Sequence, residues 1–185
     1  MRVLNEQDYA LLSDHVYGNE KTKRLELNNK GETTLNGITY EVIKQQSNPQ
    51  NGYFGAIYRR VDTNELIVVH RGTDDAKDGK TDMLMLRDKY NRQFPDADKL
   101  TQQANKLAAS DYPNTRIYQT GHSLGGTLAQ MCGYKYSQQT QTYNAYGAAE
   151  LIEMRGINNP HAYQLIINHR MGGDTVSSAS PHLGR

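Results

Sequence analysis

The stretch Thr115-Arg116-Ile117-Tyr118-Gln119-Thr120-Gly121-His122-Ser123-Leu124-Gly125-Gly126 decides how this chain folds. Its first half reads as a strand. Gly121-His122-Ser123-Leu124-Gly125 then reads as a sharp corner, and the small residues Gly126 and Ala129 continue into a helix able to pack closely on a sheet. A Gly-x-Ser-x-Gly turn needs its glycines because a side chain two positions before or after the serine would collide with neighbouring backbone. The helix that follows points unpaired N–H groups and its dipole at the serine. Ser123 is therefore the candidate nucleophile, and the backbone N–H of Leu124 the first candidate oxyanion donor.

A nucleophilic serine on such a corner needs a carboxylate and an imidazole, in the chain order Ser, Asp/Glu, His. Downstream of Ser123 the acids are Glu150, Glu153 and Asp174. The two glutamates sit in Ala148-Ala149-Glu150-Leu151-Ile152-Glu153, which reads as a solvated helix. Asp174 follows the apolar run Tyr163-Gln164-Leu165-Ile166-Ile167-Asn168, a buried parallel strand by pattern, and so falls just past a strand end, where catalytic groups of open α/β sheets gather. Asp174 is the candidate acid; the plain alternative is a turn aspartate after Gly172-Gly173. His161, His169 and His182 follow the serine, but His182 alone lies beyond Asp174 and satisfies the chain order. It is the candidate base, set against a structural histidine near the last residue, Arg185. Upstream, Glu65-Leu66-Ile67-Val68-Val69-His70 followed by Arg71-Gly72-Thr73 reads as a strand and Gly turn able to supply the second oxyanion donor, with Thr73 offering an N–H and a hydroxyl.

Four pieces together resemble the class 3 lipase family of α/β-hydrolases: Val68-Val69-His70-Arg71-Gly72-Thr73, Gly121-His122-Ser123-Leu124-Gly125-Gly126, Tyr143-Asn144-Ala145-Tyr146-Gly147, and Asn168 with Gly173-Asp174-Thr175-Val176-Ser177. The resemblance implies an ester hydrolase acting on lipids, with Ser123 as nucleophile, Asp174 as triad acid and Thr73 as oxyanion donor. The phospholipase-like toxin domain of bacterial effectors is the variant that Glu6–Ser13 and Asp174–Gly184 resemble. One departure stands out. Family members place the catalytic histidine well beyond the aspartate, and His182 sits where a nearer, structural histidine would be. A hydrolase without its imidazole, which binds lipid or a partner protein, is thus the competing expectation. Class 3 lipases also carry a lid between the positions of Thr73 and Pro95; the cluster Met83-Leu84-Met85-Leu86 is either that apolar cover or a short buried helix.

At 185 residues the chain suits a single domain with its own core. The net charge of +1 gives no general attraction to nucleic acid or anionic membrane, so lipid or membrane contact has to come from a local patch, and no nucleic-acid partner is expected because charge and aromatic patterning do not support a phosphate track. One cysteine, Cys132, rules out an internal disulfide framework and reads as a small buried residue. The mechanism requires no metal or organic cofactor. The first residues lack a signal-peptide pattern, which predicts cytoplasmic synthesis and is compatible with export by a specialised secretion system and with an inhibitory partner.

The coarse pattern predicts a helix over Asp8–Tyr17 stopped by Gly18, strands at Ile38–Ile43, Tyr53–Arg60 and Glu65–His70, and a helix over Ala97–Ser110 opened by Asp96 after Pro95. The elbow helix to Tyr136 and strands at Thr142–Ala145 and up to Asn168 follow. Strand-helix alternation around the corner predicts an α/β fold of the α/β-hydrolase type, with a mostly parallel sheet flanked by helices.

Overall fold

The computed structural model describes residues 1–72, 83–170 and 181–185, with the backbone alone for 83–86. Thr73 and Asp174 lie outside these residues, as do residues 74–82 of the segment between Thr73 and Pro95 and the Gly173–Ser177 piece.

Among the described residues a seven-stranded sheet runs in chain order: β1 (Glu32–Leu35), β2 (Ile38–Asn48), β3 (Tyr53–Arg60), β4 (Leu66–His70), β5 (Ile117–His122), β6 (Gln139–Tyr143) and β7 (Ile166–His169). The first three pairings are antiparallel and the last three parallel. The sheet is thus mixed, and parallel in the half that carries Ser123. Four helices cover it: α1 (Glu6–His15), α2 (Met83–Ser110), α3 (Leu124–Tyr136) and α4 (Ala149–Met154). Its two faces bury two cores. Ile57, Leu66 and Val68 meet Leu100, Leu124, Leu128 and Met131 of α2 and α3 on one face. Tyr40, Tyr58, Ile67, Val69 and Tyr118 meet Tyr9 and Leu12 of α1, and Val16 just after it, on the other. The β4 side chains alternate between the two, so a strand apolar at every position is buried on both sides.

Each element has a local cause. Asn5 caps α1 in a reciprocal box with Asp8, which starts the helix earlier than its apolar stripe suggests. β1 is absent from the sequence expectation; its hairpin turns on Asn36-Gly37, both at positive φ (48° and 76°), the pair a two-residue hairpin favours. β6 begins at Gln139, earlier than expected. The run before Asn168 is a 3-10 turn over Pro160–Leu165 followed by only four strand residues, so its apolar character reflects burial of Ala162 and Ile166 and not a continuous strand.

The expected start of a helix at Asp96 is corrected: α2 runs through Pro95. A proline inside a helix leaves the carbonyl four residues earlier without its N–H partner. Here that carbonyl, on Asn91, accepts from the Arg155 guanidinium at 2.9 Å, and the next, on Arg92, accepts from the Asn51 amide at 3.0 Å. Long-range donors replace the missing bond, so the helix continues.

Candidate active site

Ser123 stands between the end of β5 and the first residue of α3 with φ 55° and ψ −125°. A non-glycine residue here is strained by roughly 1–3 kcal/mol and persists only where its surroundings hold it. They do so from three sides. The Ser123 N–H donates to the Tyr143 carbonyl at 2.9 Å, tying the corner to β6. A β-carbon on Gly121 would overlap the Gly125 backbone, and one on Gly125 would overlap the His70 carbonyl, so the corner closes only because both are glycine. Ser123 itself is 4% exposed, at the carboxyl ends of the parallel strands.

The N-terminus of α3 supplies the electrostatics. The Leu124 N–H meets no acceptor among the described residues, as expected in the first turn of a helix, and Leu124 is fully buried. A buried, unpaired donor beside a serine favours whatever negative charge forms there. Gly72, the residue before Thr73, closes against the same corner: a β-carbon on it would stand 2.6 Å from the His122 carbonyl and 3.5 Å from the Ser123 Cβ. Gly72 at the end of β4 thus lies against the serine corner, while Thr73 and Asp174 are outside the described residues.

Beneath the β4 turn lies a polar core. His70 is fully buried; its Nε2 is 2.9 Å from the Gln119 Oε1 and its Nδ1 is 3.0 Å from the Tyr53 hydroxyl. The Gln119 Nε2 donates to Gln138 and Thr101, so its oxygen faces His70, whose Nε2 carries the proton while Nδ1 accepts from Tyr53. Burial pushes the imidazole down to about 4, so it is neutral. It anchors the backbone on which the serine corner rests.

His182 is placed by Gln130, about two turns along α3 from the serine. The Gln130 Oε1 accepts the backbone N–H groups of Ala148 and Leu183, each at 3.3 Å. That fixes the amide: its Nε2 donates to the Tyr146 carbonyl at 3.0 Å and faces the His182 Nδ1 at 3.3 Å. In this arrangement Nδ1 accepts and Nε2 carries the proton. His161 is exposed in the 3-10 turn, and His169 ends β7 with its Nδ1 3.2 Å from Glu6. Sequence reasoning missed Gln130 and Tyr17, whose hydroxyl lies 3.1 Å from the His122 Nδ1. Neither residue type signals a role by itself, and both act through contacts across more than fifty residues of chain.

The family model for the Tle-like phospholipase domain matches residues 8–180, nearly the whole chain. The chain belongs to that phospholipase-like family. Solved structures share its fold: the Lip2 lipase from Yarrowia lipolytica superposes with a TM-score of 0.61 at 18% identity, over 92% of this chain and 71% of that one. Lipase II from Rhizopus niveus does so with a TM-score of 0.51 at 18% identity, over 75% and 60%. These lipases have the α/β-hydrolase fold, and so does this Tle-like domain. In sequence, a Passalora fulva protein named as a lipase, ATG15, is 32% identical over 54 residues, which is 29% of this chain and 8% of that protein. The Tle-like domain also spans 42% of a Rhizomucor miehei lipase chain and 59% of another fungal lipase. Among the described residues no helix is long and apolar enough to cross a membrane.

Proposed function

We propose that this domain hydrolyses carboxylic esters of lipids through an acyl-enzyme, with Ser123 as the nucleophile. The strained backbone of Ser123 at a helix N-terminus is the observation that carries the reading. The Ser123 hydroxyl attacks the ester carbonyl as a base takes its proton; Leu124, with Thr73 from the β4 turn, holds the oxyanion. The alcohol leaves with the proton, and water, activated by the same base, releases the fatty acid. Asp174 and His182 complete the proposed triad. In that role Nδ1 of His182 donates to Asp174 and Nε2 receives the serine proton, so the ring has to exchange Gln130 for the carboxylate and change tautomer. A phospholipid substrate, transient membrane contact and a bacterial effector role with an inhibitory partner belong to the same reading; the family match and the resemblance of Glu6–Ser13 and Asp174–Gly184 support it.

The Gln130–His182 bond favours a second reading: a hydrolase fold whose His182 is structural and which binds lipid or a partner protein without turnover. Steady-state hydrolysis of p-nitrophenyl butyrate separates the two. Under the first, His182→Ala loses roughly as much kcat as Ser123→Ala, about 10⁴-fold or more, while His161→Ala and His169→Ala stay near the parent. Parent-like turnover in His182→Ala removes that residue from the mechanism.

A further inference from the structure

A cavity of about 310 Å³ opens on the α1 side of the sheet, at the carboxyl ends of β5 and β6, lined by Ala10, Ser13, Asp14, Tyr17, His122 and Tyr143. Ala10, Ser13 and Asp14 share one face of α1, and Tyr17 continues that face a turn further on. The remaining walls are aromatic. The Tyr17 and His122 rings meet edge to face at 6.1 Å, and the Tyr143 ring stacks on His169 at 4.9 Å.

The polar groups around the cavity fall into two kinds. The Ser13 hydroxyl is engaged with Thr120 at 2.9 Å, the Tyr17 hydroxyl with His122 at 3.1 Å, and the Tyr143 hydroxyl donates to the Glu6 carbonyl at 2.5 Å. The Asp14 carboxylate is exposed at the rim and has no hydrogen-bond or ion-pair partner among the described residues. It also stands in the last turn of α1, where the helix dipole disfavours an acid. Among the described residues no lysine or arginine lines the cavity, so these residues offer an anion no such counter-charge. A carboxylate with no partner among the described residues, lining one cavity with phenol and imidazole rings, suits an organic cation, which gains from both charge and aromatic surface.

Tyr17 joins this cavity to the serine. A β-carbon on Gly72 would overlap the Tyr17 hydroxyl on one side and stand 3.5 Å from the Ser123 Cβ on the other. A ligand in the cavity is thus separated from the elbow by little more than one phenol.

We propose that this cavity binds an alkylammonium group, held by Asp14 and the rings of Tyr17 and Tyr143. The cation is either free or the amine headgroup of a phospholipid; the latter form rests on the ester-hydrolase reading, and the binding site does not. Calorimetric titration with choline chloride tests it on the parent, Ser123→Ala and Asp14→Asn proteins, with methyl phosphate as the anionic control. Choline should bind the first two alike and Asp14→Asn about ten-fold or more weakly, and methyl phosphate should not compete. Equal binding to parent and Asp14→Asn, or preferential binding of methyl phosphate, overturns the site. Rates on micellar phosphatidylcholine and phosphatidylglycerol identify the source. A choline-to-glycerol rate ratio that falls about ten-fold in Asp14→Asn assigns the cavity to the lipid headgroup; Asp14-dependent choline binding with an unchanged ratio assigns it to a free alkylammonium. A parent that binds choline but cleaves no ester contradicts the hydrolase reading alone, and one that cleaves esters but ignores choline contradicts the cavity alone.

Discussion

Gly125 lies directly against the carbonyl of His70, so the first turn of α3 presses on the end of β4 with no room for a side chain. This contact sets the separation between the nucleophile corner and the β4 turn, and with it the distance between the Leu124 N–H and whatever donor that turn supplies.

Gly125→Ala should therefore damage the site and the fold together. Its β-carbon meets the His70–Arg71 backbone and cannot be relieved by a rotamer change, so the loss should reach about 1–3 kcal/mol or more. Gly31→Ala is the comparison: Gly31 has φ 76° but nothing within 4 Å of an added β-carbon, so strain alone should cost about 1 kcal/mol. Thermal unfolding of the two variants checks the ordering, and equal losses would contradict the close contact.

Stability should fall as the solution is acidified. His70 ordinarily titrates near 6.5, and burial holds it down to about 4 in the folded chain. The unfolded chain takes up a proton below about 6.5 that the folded chain refuses, so the stability His70 contributes is complete above that pH, declines between about 6.5 and 4, and is flat below. The decline should be on the order of 2–4 kcal/mol. Urea midpoints measured at pH 7 and pH 4.5 test it; the parent should lose more across that interval than His70→Gln.

Gln130→Leu should free the last residues from α3. Gln130 satisfies the Ala148 and Leu183 N–H groups and faces the His182 Nδ1, and these partners lose their bonds together. Each buried donor left unsatisfied costs about 1–3 kcal/mol. Hydrogen exchange should accelerate at Ala148 and Leu183, and ¹⁵N shifts of the His182 ring should no longer report one dominant tautomer with Nε2 protonated. A parent His182 protonated at Nδ1 would instead favour the triad orientation.

What the sequence disclosed followed chemical necessity. Glycines 121 and 125 and the serine between them cannot be exchanged freely, so the corner, the helix after it and the strand before it were legible. The Tyr53–Arg60 strand and the helix ending at Tyr136 were legible from pattern and turn residues. Pro95 misled because the Arg155 and Asn51 side chains that rescue its helix come from remote parts of the chain. β1 was hidden because its four residues carry little apolar pattern, although Asn36-Gly37 announced the turn. At the site, chain order named His182, but its orientation depends on which atoms of the Gln130 amide meet two backbone N–H groups, which no pattern of residue types encodes.

Cys132 should be inert while the chain is folded. Burial pushes its thiol up to about 12, leaving almost no thiolate at pH 8. Iodoacetamide at that pH should leave the native protein unlabelled and modify it fully in urea; labelling without denaturant would show that α3 opens.

The most direct test of the account is active-site labelling with a fluorophosphonate, read by mass spectrometry of the tryptic peptide that spans Ser123. The account predicts a single adduct on Ser123 that disappears in Ser123→Ala, together with the loss of p-nitrophenyl butyrate turnover and no change in thermal stability beyond about 1 kcal/mol. Labelling that persists in Ser123→Ala, or a parent protein that neither reacts with the probe nor cleaves the ester, would contradict it.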